Sequence, residues 1–309
     1  MCGNGDTEGM SMKAATMRRF AAALMLAVAL MLAYPTVGTI WENQQAREAA
    51  VQQTQQAEAL KQQQPEKVAQ ALLDAHAYNQ SLTGIPLADP YSATSSEHDA
   101  AAWDNYLHQL ADTDVMGRIR VPNVGIDLPI HHGTSDEAMR TGAGHLYGTA
   151  LPVGDTGARP VLSTHTGLRS ATLFDRLTDV KIGDTFYVDV YGETLAYKVT
   201  RIDVITPDQI EALAPTPGKD LVTLMTCTPY AVNSHRLLVT GERVPYDPAT
   251  DPAPTTAAAT ANPVNFILNT ITPLPWYMRL MGVASLGALI TGIVMVIPKK
   301  KRSRSQVNA

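Results

Sequence analysis

The chain has 309 residues with 24 Lys and Arg against 29 Asp and Glu, a net charge of −5, so it has room for about two ordinary domains and is too acidic overall for electrostatic nucleic-acid binding. The charge is unevenly placed: Lys13, Arg18 and Arg19 precede the first apolar run, Lys299, Lys300, Lys301, Arg302 and Arg304 crowd the C-terminus, and residues 20–297 hold 16 bases and 27 acids. Two cysteines, Cys2 and Cys227, exclude a disulfide-rich secreted scaffold.

Residues 1–19 are a basic N-terminal segment in which Met10 and Met12 are alternative starts. Phe20 to Trp41 (20–41) are 22 residues without a charge, and a helix of that length covers roughly 33 Å, enough to cross a bilayer core. A cleaved signal peptide competes with this reading because Lys13, Arg18 and Arg19 look like its basic start. The length of the run and the lack of a small-x-small cleavage site favour an uncleaved anchor. Residues 42–82 are rich in Gln and Ala, are broken at Pro65 and predict a helical stalk. Residues 83–114 combine a loop of helix breakers, including Asp89-Pro90-Tyr91, with a short helix around Trp103 to Leu110.

From Val115 the period becomes that of strands. MGRIRVP, IDLPI, ARPVLSTH, DTFYVDVYG, TLAYKVTRIDVI, LVTLMTC and RLLVTGERV are β-branched or aromatic runs separated by turn residues, with Ala171–Leu177 the one helical stretch among them. Residues 115–245 therefore predict a mostly β domain, a barrel or a sandwich. Residues 246–275 are a Pro-, Ala- and Thr-rich linker. Residues 276–298 contain a second uncharged run, Leu280 to Pro298, with Trp276 and Tyr277 where an interfacial belt would lie, and 299–309 form a basic tail. The positive-inside rule puts both basic ends in the cytoplasm and the acidic middle outside, which separates Cys2 from Cys227 and leaves Cys227 as a free thiol.

Chemistry concentrates at three strand ends: Cys227 closes LVTLMTC, His165 closes VLSTH, and Arg236 opens a strand after Asn233 and Ser234. An imidazolium and a permanent cation both favour a thiolate, and a fixed guanidinium can stabilise an oxyanion during acyl transfer. His235 alternates to the opposite face from Arg236 on a regular strand. Taken singly each residue has an ordinary reading: a small buried hydrophobe, a loop histidine, a surface ion pair.

Together, TLMTCTPY (223–230), STHTG (163–167) and SHRLLVTGER (234–243) resemble the signature segments of sortases, the cysteine transpeptidases of Gram-positive cell surfaces. GHLYGTALPVG, ATLFDRL, GETLAYKV and GKDLVTL extend the resemblance over about residues 115–245. It is nearest to class C, the pilin-polymerising group, because of the N-terminal span and helical lead, the C-terminal span, and Asp89-Pro90-Tyr91, with Tyr where other members have Phe or Trp. The resemblance implies a closed β-barrel with a few short helices, preceded by N-terminal helices and flanked by two transmembrane helices. It also implies catalytic Cys227, His165 and Arg236, a lid of Asp89, Pro90 and Tyr91, and Thr164 and Thr226 as candidate substrate-binding residues. The implied partners are LPxTG-bearing pilins or surface proteins and an amine acceptor, a pilin lysine or a peptidoglycan precursor. No cofactor is implied.

A metal site is not expected. His131, His132 and His145 read as loop or surface histidines without a completing ligand pattern, and no EF-hand-like loop accompanies the scattered acids. The rival from another class is a sorted surface protein, which needs LPxTG before its C-terminal span. Leu274-Pro275-Trp276-Tyr277-Met278 and Leu151-Pro152-Val153-Gly154 are not sorting signals.

Overall fold

The computed structural model describes residues 5–82, 89–91, 99–168, 170–251, 274 and 276–297. Cys2, most of the 246–275 linker, the 299–309 tail and the rest of the loop around Asp89 lie outside these residues. The chain divides into two compact units, Met1–Gly38 with Pro275–Ala309, and Thr39–Leu274.

Helix α1 (Gly5–Gln63) is continuous across the expected boundary between span and stalk, and it ends where Pro65 opens α2 (Pro65–Ser81). Proline is tolerated there because a first-turn amide has no partner to lose. In the first unit, residues of α1 pack against the C-terminal helix α5 (Trp276–Val296). Ser285 Oγ donates to the Ala29 carbonyl at 2.9 Å, and a Cβ added at Gly292 would meet Met25 Cβ at 3.4 Å. Small residues at such a crossing let two apolar helices approach closely. Both helices are long and apolar enough to cross a membrane.

The second unit is built on a closed barrel. Its strands are β1 (Gly117–Val121), β2 (Ile126–His132), β3 (Ala143–His145), β4 (Val161–Ser163), β5 (Thr185–Val190), β6 (Glu193–Ile205), β7 (Leu221–Thr228) and β8 (His235–Val244). They are ordered β1-β2-β3-β4-β7-β8-β6-β5, with β5 returning to β1. The pairs β2–β3 and β4–β7 are parallel and the others antiparallel. Ile119, Val188, Phe186, Tyr197, Val222, Leu224 and Val239 are buried in the core. Closure removes the open edges that would otherwise pair with other chains. Gly241 lies so close to the Phe186 ring and Tyr197 Cβ that any side chain would displace them. Gly241→Ala is expected to destabilise the barrel by about 1–3 kcal/mol in denaturant unfolding.

The helices attach to the barrel through side chains that reach main-chain groups. Arg47 donates to the Gly125 carbonyl at 3.2 Å, and Lys61 donates to the Gly192 carbonyl at 3.1 Å while pairing with Glu193 at 2.6 Å. On α2, Asn79 both donates to the Leu151 carbonyl (3.0 Å) and accepts from the Leu151 amide (2.6 Å). Helix α3 (Ala100–Leu107), capped by the Asp99 carboxylate on the Ala102 amide, buries Tyr106. The Tyr106 hydroxyl meets His145 Nδ1 at 2.9 Å and accepts from the Gly133 amide at 2.8 Å.

Three local expectations are corrected. His145 is not a loop or surface residue: it is buried in β3, where burial pushes its pKa down to about 4, and its other nitrogen bonds the Ala150 carbonyl at 2.7 Å. His131 and His132 are half-buried at the end of β2. The helix expected over Ala171–Leu177 is only a 3-10 turn, Asp175–Asp179, because Leu173 adopts φ +37° and Thr172 is held by Asn43 of α1. Helix α4 (Asp136–Thr141), capped by Ser135, was not anticipated at all. Among the described residues no group of three or more His, Cys, Asp and Glu gathers as a metal ion would require.

Candidate active site

The strand register builds the site. Cys227 on β7 sits directly opposite Arg236 on β8, and the neighbouring pair is Thr228 and His235. Directly opposed residues share a face, so thiol and guanidinium project together, while His235, on the other face, bonds Ser234 Oγ at 2.8 Å. Strand β4 runs parallel to β7, with Ser163 opposite Met225, so the chain leaving β4 carries His165 to the end of the barrel where Cys227 lies.

Asp89 and Tyr91, joined through Pro90, meet these residues. Arg236 holds the Asp89 carboxylate in a fork, Nε to Oδ1 at 2.8 Å and Nη2 to Oδ2 at 2.7 Å, and Nη1 donates to the carbonyls of Asn233 and His235, each at 3.1 Å. The same carboxylate accepts the Tyr91 amide at 3.3 Å, a two-residue turn that the fixed φ of Pro90 favours. The Tyr91 ring lies 4.7 Å under the Arg236 guanidinium carbon and 5.7 Å from the His165 ring. Its hydroxyl donates to the Thr164 carbonyl at 2.7 Å and contacts Ser163 Oγ at 2.8 Å. Asp89, Cys227 and Arg236 are all buried.

Thr164 and Thr226 are buried and act inward: Thr226 Oγ1 donates to the Thr164 carbonyl at 2.7 Å and Thr164 Oγ1 to the Met139 carbonyl at 2.5 Å. Their hydroxyls tie β7, β4 and α4 together behind the site. Ser163, which receives Tyr91, and Asn233, whose carbonyl holds Arg236, were not singled out from the sequence. Asn233 has φ +59°, a left-handed turn residue for which Asn is suited, and that is the one signal it carried.

Electrostatics define the state captured here. Burial raises the Cys227 thiol above its ordinary value, Arg236 pulls it back, and the Asp89 charge pushes it further up. Burial lowers the His165 imidazole, with Asp136 opposing and Arg140 assisting. Near neutral pH the favoured pair is therefore a thiol and a neutral imidazole, and the arrangement keeps the sulfur in its less reactive, protonated form.

Residues 119–244 match the Sortase domain family. The chain is similar to sortase C-1 from Actinomyces oris, with 48% identity, 59% of this chain and 100% of that chain covered, and a TM-score of 0.57. It is also similar to sortase A from Corynebacterium diphtheriae, with 46% identity, 66% and 95% covered, and a TM-score of 0.58. Among curated relatives, Sortase A of Streptococcus agalactiae serotype III (strain NEM316) is 33% identical over 117 residues, 37% of this chain and 47% of the relative. The chain thus spans about half the length of that relative. The closed barrel and these similarities together define a sortase-type domain. The chain belongs to the sortase family, and the solved structures it resembles include class C sortases.

Proposed function

We propose that the protein is a cysteine transpeptidase that polymerises pilus subunits. Cys227 Sγ attacks the Thr carbonyl carbon of an LPxTG-like signal, and the tetrahedral intermediate collapses with loss of the Thr–Gly amide bond. His165 takes the Cys227 thiol proton as Sγ attacks and delivers it to the departing glycine amine, leaving a thioester on Cys227. A lysine Nζ of a second subunit then attacks the thioester, His165 accepts its proton, and the thiol is released as the isopeptide bond forms. Arg236 holds the developing oxyanion once Asp89 has left it.

The observation that carries this reading is the fork between Asp89 and Arg236, which occupies the guanidinium that the substrate oxygen needs. A segment that must be displaced before catalysis suits an enzyme that receives large protein partners on both sides of the reaction. The catalytic unit lies outside the cell, anchored by α1 and α5 with both termini in the cytoplasm.

Incubating the full-length enzyme with a pilin subunit that carries both an LPxTG-like signal and an acceptor lysine is expected to give a ladder of covalent oligomers on a denaturing gel. Transfer only to a peptidoglycan stem peptide would replace polymerisation by cell-wall anchoring. Release of the acyl group to water alone would make the protein a hydrolase.

A further inference from the structure

His165 lies beyond the last residue of β4, so no strand ladder fixes it. The residue before it is tied to β7 and α4, the Thr164 amide donating to the Met225 carbonyl at 3.3 Å and its hydroxyl to the Met139 carbonyl, and the loop that follows holds His165 from the other side. The His165 carbonyl accepts the Phe174 amide at 3.2 Å. The next two residues converge on a single oxygen: the Gly167 amide and the Thr166 hydroxyl donate to Asp175 Oδ1 at 2.6 and 3.1 Å. The far limb is held by Asn43 of α1, whose Oδ1 accepts both the amide and the hydroxyl of Thr172, at 2.9 and 3.1 Å.

The backbone records how firmly this loop is set. Leu173, buried and unsuited to the left-handed region, adopts φ +37°, and Gly167 adopts φ +80°. Such conformations persist where surrounding bonds over-determine them. Asp175 does not serve its own 3-10 turn, which begins after Phe174 without a side-chain cap. Its carboxylate is directed instead at the two residues that follow His165.

We propose that Asp175 is a positioning residue for the acyl transfer, fixing the loop that carries His165 through the Thr166 hydroxyl and the Gly167 amide. The inference rests on His165 acting as the proton carrier described above. Asp175 does not touch the reacting atoms. Its loss lets the imidazole drift from the leaving amine, and a misplacement of about 1 Å lowers turnover by up to about a hundredfold. Substrate binding through the rest of the site is untouched, so KM stays.

The test uses the full-length protein in detergent with an LPxTG-like peptide and hydroxylamine as the amine acceptor. Asp175→Ala is expected to lower kcat by about tenfold or more with KM within about twofold. Asp175→Asn, which keeps an acceptor oxygen for both donors, is expected to recover kcat to within about threefold of the parent. An unchanged kcat in the alanine variant, a loss expressed in KM, or a failure of asparagine to rescue overturns the positioning role. His165→Ala run in parallel separates the two readings: full turnover there overturns the acid–base assignment and this inference with it. Should Asp175→Ala not fold, the amide proton of Gly167 decides, by NMR of glycine-labelled protein. It is expected well downfield in the parent, as a short bond to a carboxylate requires, and upfield in Asp175→Asn; identical shifts in both overturn the proposal.

Discussion

With alanine at position 227 the full-length enzyme is expected to form neither a thioester nor a covalent ladder, a loss of at least about ten-thousandfold in turnover. The size of the effect follows from the chemistry of the step. In the proposed mechanism Arg236 and His165 stabilise charge around an attack that Cys227 makes, and no amount of polarisation by Arg236 replaces the missing sulfur. Serine at the same position is expected to be nearly as poor, because a hydroxyl is far less acidic than a thiol and the buried site already works against an anion at this position. The substitution removes one sulfur at the end of β7, so the barrel is expected to lose only about 1 kcal/mol of stability. Intact mass spectrometry after incubation with a sorting-signal peptide checks the outcome: an acyl adduct on the parent, none on Cys227→Ala, with thermal unfolding of the two nearly superimposed. Turnover by the alanine variant within a hundredfold of the parent would mean that another group makes the attack.

How much of this site was legible in the sequence depended on the length scale of each interaction. Alternation along a strand is a local rule, so the opposed faces of His235 and Arg236 followed from β-geometry alone. The chemistry-bearing residues stood at strand ends, where a change from period two to turn residues marks the boundary. Asp89 pairs with Arg236 across 147 positions, and only the family resemblance connected them. The loop after His165 was misread for the same reason. ATLFDRL has helix-forming composition, but Asn43 takes Thr172 across 129 positions and Asp175 turns back on Gly167, so tertiary bonds override local propensity. His145 offered no signal of burial because its partner, Tyr106, lies 39 residues away on a helix whose docking no periodicity predicts. Helix α4 is six residues long, below the length at which a 3.6-residue pattern is distinguishable from a turn.

Asp89→Ala is expected to raise the rate at which a small alkylating reagent labels Cys227 by at least about tenfold, by two routes that reinforce each other. The first is access. The Asp89 carboxylate receives both forked donors of a buried guanidinium, and removing one partner of a buried pair costs about 3–5 kcal/mol, all of it charged to the closed arrangement because Arg236 regains water when the segment leaves. What then holds Tyr91 in place is its stacking on Arg236 and two hydroxyl contacts, to Ser163 and the Thr164 carbonyl. The second route is thiolate fraction. Burial is the largest influence holding the Cys227 pKa up, the Asp89 charge adds to it, and Arg236 opposes both. Losing the carboxylate and admitting water both lower the thiol pKa, so the labelling profile of the variant is displaced to lower pH than that of the parent. The pH profile separates reach from acidity: easier reach at an unchanged thiol pKa multiplies the rate equally at every pH, whereas a lowered thiol pKa, from the lost Asp89 charge or from admitted water, makes the gain largest below the parent's thiol pKa and smallest above it. A rate and a pH profile both unchanged from the parent would mean that Asp89 does not restrain the segment over Cys227.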